Sequence, residues 1–281
     1  MSWLHVLVLA VIQGAAELLP VSSSAHVILA ERLLGLDPSR PELTFLLVML
    51  HTGTMFAVIQ FFWPRWRAAF AQKDASVSRL RYAWLLVLAT GLTGGLGFGL
   101  KHAIEKHVLT GDKAEIEELW RSLPLMAGAL VAVGLLILAA GFKDKETNAA
   151  PLTAARASAI GLMQGFCLPF RGFSRSGATI SVGLFAGLPR GVAEEFSFAL
   201  AVLLTPPAIA WELRRLVKAH ATFDASLLAP GVVGMLLAFA SGALALRLLS
   251  AALERGRFKF FGIYCIAFAG VVLGAHFALA R

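Results

Sequence analysis

Charge is what this sequence has least of. Lys, Arg, Asp and Glu make up 15% of its 281 residues, 58% are hydrophobic, and the mean hydropathy is +0.76. A soluble core of this size could not hide that much apolar surface from water, so the protein belongs in a bilayer. Cysteine is almost missing too. Cys167 and Cys265 stand far apart inside apolar segments, which excludes a disulfide framework or a paired-thiol metal centre and leaves both as packing residues. There is no basic arm or patch either. The net charge of +8 is spread over short loops between apolar stretches, which excludes a nucleic-acid binder and makes the charges reporters of topology. The apolar N-terminus has neither a basic flank nor a small-residue cleavage signature, so it is read as retained.

What the sequence does have is long apolar runs. Stretches of about 20 residues with little charge can span a bilayer, and they occur near 43–63, 82–100, 123–142, 195–213, 226–249 and 260–280. Trp63, Trp66, Tyr82, Trp84, Trp120 and Trp211 fall near their ends, where interfacial aromatics belong. Four further segments, 3–19, 22–36, 153–170 and 174–188, are apolar but carry Gln, Glu, Pro, His, Arg and clustered Ser. Irregular backbone and charge at membrane depth are tolerated only inside protein or beside a cavity. These segments therefore read as two re-entrant hairpins, although 3–19 is long enough for a tilted span. The expected fold is an all-α membrane protein with six transmembrane helices and two re-entrant helical hairpins.

The hairpins resemble each other. Gln13-Gly14 leading to Leu19-Pro20 and then Ser22-Ser23-Ser24 matches Gln164-Gly165 leading to Leu168-Pro169 and then Ser174-Arg175-Ser176. Each half is a hairpin followed by three spans, so the second half must run inverted relative to the first. We expect one integral-membrane domain over 1–281, with inverted repeats at about 1–142 and 153–281. Loops 64–81, 143–153, 189–194 and 250–259 hold Arg65, Arg67, Lys73, Arg79, Arg81, Lys143, Lys145, Arg190, Arg255, Arg257 and Lys259. The segment 101–122 dilutes its bases with Glu105, Asp112, Glu115, Glu117 and Glu118. The positive-inside rule makes the first set cytoplasmic and turns both termini outward.

After Pro20, and again after Gly172, a half-helix must begin with Ser near its N-cap, and helix N-termini bind phosphate. Arg175 adds a planar fork for phosphate oxygens. Gln13 and Glu17 share one helical face, and Ser23 and His26 share another, which brings a carboxylate, a hydroxyl and an imidazole within reach across the break. A serine run alone is as often a capping or packing feature. An acid between Ala-Ala and Leu-Leu at membrane depth is a functional candidate by default. Phosphate hydrolysis and anion transport would both use these parts. Elsewhere, His51-Thr52-Gly53-Thr54 reads as helix packing rather than cavity lining. Glu194 and Glu195 read as an interfacial helix start, and Thr205-Pro206-Pro207 reads as a kink.

The run Gln13-Gly14-Ala15-Ala16-Glu17-Leu18-Leu19-Pro20-Val21-Ser22-Ser23-Ser24-Ala25-His26, with Gly172-Phe173-Ser174-Arg175-Ser176-Gly177-Ala178-Thr179 and Glu195-Phe196-Ser197-Phe198, resembles the undecaprenyl pyrophosphate phosphatase family of the bacitracin-resistance type over nearly the whole chain. The resemblance implies hydrolysis of a polyprenyl pyrophosphate to the monophosphate in the bacterial inner membrane. That reaction recycles the lipid carrier of peptidoglycan synthesis, and the site would open to the periplasm. It further implies Glu17 as the essential acid, Ser23 as nucleophile, His26 as its acid/base partner and Arg175 as phosphate clamp, with Ser22, Ser24, Ser174, Ser176 and Thr179 around the phosphates. A divalent cation, Mg2+ or Ca2+, would sit at Glu17 and Gln13, the latter standing where the family also admits an acid. Arg171 replaces the family's usual proline and is read as a second phosphate contact. A homodimer is left open, and the competing reading is a transporter or flippase of polyprenyl phosphate or another anion.

Overall fold

In the computed structural model, which describes residues 1–38, 40–71, 79–107, 116–120, 122–145, 147–218 and 225–279, every regular element among the described residues is helical. The elements are α1 (Trp3–Leu18), α2 (Ser23–Leu33), α3 (Pro41–Ala71), α4 (Arg79–His107), α5 (Glu117–Trp120), α6 (Leu123–Lys143), α7 (Ala154–Cys167), α8 (Arg175–Phe185), α9 (Arg190–Lys218), α10 (Leu228–Glu254) and α11 (Lys259–Leu279). Six of them, α3, α4, α6, α9, α10 and α11, are long and apolar enough to cross a membrane, so the chain is a multi-pass membrane protein. Several outrun their apolar cores. α3 continues past Pro64, and α9 runs from Arg190 to Lys218 through Pro206 and Pro207, because basic side chains at the ends can reach the interface on their aliphatic stems. No break is assigned at the two prolines, which stand on an exposed face, and Thr205 donates its hydroxyl to the Ala201 carbonyl. Lys73, Asp112 and Glu115 of the topological charge count lie outside the described residues.

The remaining helices are short. α2 and α8 have 11 residues each, about 16 Å at 1.5 Å per residue against a core of about 30 Å. α1, with 16 residues, ends at Leu18, before Pro20 whose ring cannot continue it. α1 packs on α2, α10 and α3, and α7 packs on α8 and α4, while α6 packs on α11 and α8. The short helices are therefore wedged among the long ones.

Small residues make those contacts. A Cβ on Gly14 of α1 would collide with Ser241 and lie 2.6 Å from the Ala238 carbonyl oxygen of α10, and one on Gly161 of α7 would lie 2.7 Å from Ala89 Cα of α4. Between α6 and α11, a Cβ on Gly134 would come within 2.9 Å of the Gly262 carbonyl oxygen. Lipid tails are as apolar as Leu, so helices in a membrane gain by close backbone approach rather than by hydrophobic burial. The aromatic belt divides in two. Trp63, Trp84 and Trp211 are exposed, whereas Trp66 and Tyr82 pack against the core.

Of the two carboxylates expected at an interfacial helix start, Glu194 is placed differently. Glu194 is 2% exposed, accepts a hydrogen bond from Ser250 and lies 3.9 Å from Arg65. α9 begins one turn earlier than the apolar run suggests, which carries Glu194 inside against α10 and α3.

Replacing Gly14 by Leu should lower the thermal midpoint of the detergent-solubilised protein by several degrees, the effect of about 1–3 kcal/mol of overpacking. Gly91→Ala, at a position with open space around it, should leave the midpoint unchanged or raise it.

Candidate active site

The tips of the two hairpins meet. α1 ends one turn beyond Gln13, so Glu17 projects toward the break, and the Gln13 amide nitrogen donates to Glu17 Oε2 at 3.2 Å, the four-residue pairing that a helical face allows. Across the break, Ser23 Oγ donates to the same Oε2 at 2.6 Å. From the opposite hairpin, Arg175 Nη2 reaches Glu17 Oε1 at 3.0 Å, with 22% of the Arg175 side chain and 17% of the Glu17 side chain exposed. The second terminal nitrogen, Nη1 of Arg175, is buried and has no hydrogen-bond partner among the described residues. The carboxylate thus gathers an amide, a hydroxyl and a guanidinium, and the guanidinium keeps one terminal nitrogen unspent.

Cross-links hold the tips in place. Ser176 Oγ donates to the Leu19 carbonyl at 3.3 Å, the Cys265 thiol donates to the Pro20 carbonyl at 3.4 Å, and the Gly172 N–H donates to Ser24 Oγ at 3.2 Å. Gly172 has φ +96°, and a Cβ there would lie 2.5 Å from the Met126 carbonyl oxygen. Only glycine fits both conditions. Ser174 caps α8 as expected, accepting from the Gly177 N–H at 3.2 Å. Ser22 does not cap α2. It sits at φ 69°, in the left-handed region that costs a side-chain-bearing residue about 1–2 kcal/mol, and its hydroxyl pairs instead with Ser24 Oγ at 3.2 Å. The strain lies at the start of the half-helix that presents Ser23, where strained residues tend to have functional consequences. Thr179 lies deeper, hydrogen-bonded to the Arg175 carbonyl at 2.8 Å and to Ser197, so it buttresses α8 against α9 rather than facing the arginine.

Three expectations change. His26 is not brought to Ser23: its Nδ1 bonds the Ser22 carbonyl at 2.8 Å, its Nε2 bonds the Tyr264 hydroxyl at 2.7 Å, and its ring stacks on Phe268 at 3.8 Å. The three-residue spacing placed Ser23 and His26 on one face, but the side chain turns back along its own helix and toward α11. Arg171 is exposed, its guanidinium 4.5 Å over the Trp120 ring, and Trp120 donates its indole N–H to the Pro169 carbonyl at 3.0 Å. Arg171 thus braces the outside of the second tip through Trp120. His51, assigned to packing, enters the site: its Nε2 lies 3.9 Å from Glu17 Oε2. Packing in that segment belongs to Gly53, whose Cβ would collide with the Met235 carbonyl. An intramembrane histidine was the signal for His51, whereas Tyr264 carries no motif and only the fold reveals it.

A resident divalent ion does not fit Glu17 and Gln13. Both carboxylate oxygens are occupied by donors, Gln13 turns its amide nitrogen to the acid, and no group of three or more His, Cys, Asp or Glu gathers among the described residues. Calcium wants six to eight oxygen ligands, and magnesium wants a near-ideal octahedron.

Comparison with known proteins gives a consistent result. The family described as Bacitracin resistance protein BacA matches residues 6–271. The chain is 56% identical over 282 residues to undecaprenyl-diphosphatase 2 of Acinetobacter baylyi, covering 97% of this chain and 98% of that one. It is 35% identical over 291 residues to an undecaprenyl-diphosphatase of Desulfosudis oleivorans, covering 95% and 96%. It is also 35% identical over 278 residues to undecaprenyl-diphosphatase 1 of Burkholderia pseudomallei, covering 95% and 94%.

Because each buried charge is offset by the other, Arg175→Met alone should destabilise the protein by about 3 kcal/mol, and the double variant Arg175→Met/Glu17→Gln should recover most of that loss. Thermal unfolding of the four proteins of the cycle measures the coupling.

Proposed function

The chain belongs to the bacitracin resistance protein BacA family, and we propose that it is an undecaprenyl-diphosphatase of the bacterial inner membrane. It hydrolyses undecaprenyl pyrophosphate to the monophosphate, which returns the lipid carrier to peptidoglycan synthesis and confers resistance to bacitracin. The observation that carries the reading is the Ser23–Glu17–Arg175 contact. A hydroxyl sits 2.6 Å from a carboxylate, and that carboxylate is held by an arginine whose other terminal nitrogen is buried without a partner. A buried guanidinium donor left unsatisfied costs stability, and a phosphate oxygen would satisfy it.

Each group then has a role. Glu17 Oε2 accepts the Ser23 proton as Oγ attacks the terminal phosphorus, and the bond to the bridging oxygen breaks with its electron pair leaving on the polyprenyl monophosphate. Arg175 and the free N–H groups at the starts of α2 and α8 take the charge that develops on the equatorial oxygens. His26 serves as a wall of the site against α11, with no proton role at Ser23. A divalent cation would come to the site with the pyrophosphate, whose oxygens can chelate it, and would supply positive charge to the phosphates.

The two hairpins belong to inverted halves. The docking of α1 on α10 and of α7 on α4 supports this reading, since in the repeat α7 corresponds to α1 and α4 to α10. The site opens to the periplasmic side in this reading, and the excess of Lys and Arg in the loops read as cytoplasmic supports it.

Phosphate release from undecaprenyl pyrophosphate by the purified protein, with and without Mg2+ or Ca2+, tests the proposal. Ser23→Ala and Glu17→Ala should each lower release by about a hundredfold or more. Arg175→Lys, which keeps the charge but loses the fork, should lower it by a smaller factor. A folded wild type that binds the lipid yet releases no phosphate would replace the hydrolase with a carrier.

A further inference from the structure

Hydrolysis through a phosphoserine has a second half, in which a water gives up a proton as Ser23 Oγ takes one back. A polyprenyl monophosphate leaves as an anion without needing the proton that Glu17 took from Ser23, so Glu17 can keep that proton for the return to Ser23 Oγ. The attacking water then takes a second base. His26 is spent, with both ring nitrogens bonded elsewhere.

His51 has the required form. Its Nδ1 lies 2.8 Å from the Leu47 carbonyl oxygen, which can only accept, so Nδ1 carries a proton, and in its neutral form the ring holds its lone pair on Nε2. That nitrogen is 3.9 Å from Glu17 Oε2, and 44% of the side chain is accessible, so the ring opens on the site. The distance is too long for a direct hydrogen bond and leaves Nε2 without a hydrogen-bond partner among the described residues. The anchor is rigid, because α3 is held against α10 at Gly53 and Thr54 donates its hydroxyl to the His51 carbonyl at 2.9 Å.

Building on the hydrolase reading, we infer that His51 is a further catalytic residue, the general base for the water that releases phosphate from Ser23. The water oxygen bonds to phosphorus and one water proton passes to His51 Nε2. The bond from phosphorus to Ser23 Oγ breaks, and its electron pair takes back the proton held by Glu17. His51 then gives its proton to solvent, and both residues return to their starting forms. Glu17 serves the first half as base and the second as acid, while His51 serves only the second.

The division of labour can be read directly with undecaprenyl pyrophosphate carrying a radiolabelled terminal phosphate. His51→Gln and His51→Ala should each turn over about a hundredfold more slowly than wild type. Unlike wild type, both should retain about one label per chain after denaturation, because the first half proceeds and the second stalls. Ser23→Ala should retain none. His51 variants that turn over within about twofold of wild type would overturn the inference. So would variants that are slow yet bind no label while keeping the wild-type thermal midpoint, since His51 would then serve the first half or only the architecture. A wild type that releases no phosphate sinks the hydrolase reading itself, and the inference falls with it.

Discussion

A carboxylate and a guanidinium cannot be left singly inside a membrane protein. Each would bear a desolvation penalty of several kcal/mol, which only the other can offset. Glu17 and Arg175 come from different hairpins, 158 positions apart in the chain, and meet at 3.0 Å. Their pairing obliges both hairpin tips to arrive at one point, and most of the architecture can be understood as what that requires. α1 must stop at Leu18 and α8 must start at Arg175, so each chain break is turned toward the other. The serine and glycine contacts between the tips then satisfy backbone groups that the breaks leave open.

The same pair gives the site its chemistry without further charged groups. Glu17 divides its oxygens between the two halves: Oε1 faces Arg175, while Oε2 faces Ser23 and Gln13. The oxygen nearest the serine is thus the one not committed to the guanidinium, and it is the oxygen that can take a proton. The two motifs are not chemically equivalent: the first holds Glu17 between Gln13-Gly14 and Leu19-Pro20, whereas the second has no acid between Gln164-Gly165 and Leu168-Pro169 and supplies Arg175 instead. Gln164, the counterpart of Gln13, is fully buried and donates to Thr93 at 3.3 Å in the α4–α7 contact. The first motif supplies the acid of the contact and the second supplies its cation.

Much of this was legible in the chain. The six spans follow from hydropathy, because lipid tolerates no other arrangement of so much apolar backbone. The breaks follow from Pro20 and Pro169 with the glycines and serines beside them, and Glu17 and Arg175 stand out as charges with no cheap place in a bilayer. The capping role of Ser174 and the packing role of both cysteines were read correctly from residue type. What the spacing does not give is the contacts of two histidines and one arginine. A four-residue or three-residue spacing says which face of a helix a side chain leaves from, but not how its terminal atoms turn. The contacts of His26, His51 and Arg171 are therefore made with partners far away in sequence: Tyr264, Glu17 and Trp120.

The sequence by itself determined the membrane fold, the duplicated broken helix and the residues able to handle phosphate, since these depend on transfer free energy, helix-breaking backbone and the chemistry of single side chains. Only the tertiary structure decided which imidazole faces the carboxylate, which nitrogen of Arg175 is left unspent and which carboxylate oxygen the serine meets. Those are distances of a few ångströms between segments far apart in the chain. They are set by how closely Gly14, Gly53 and Gly161 let the helices approach, and no local pattern encodes them.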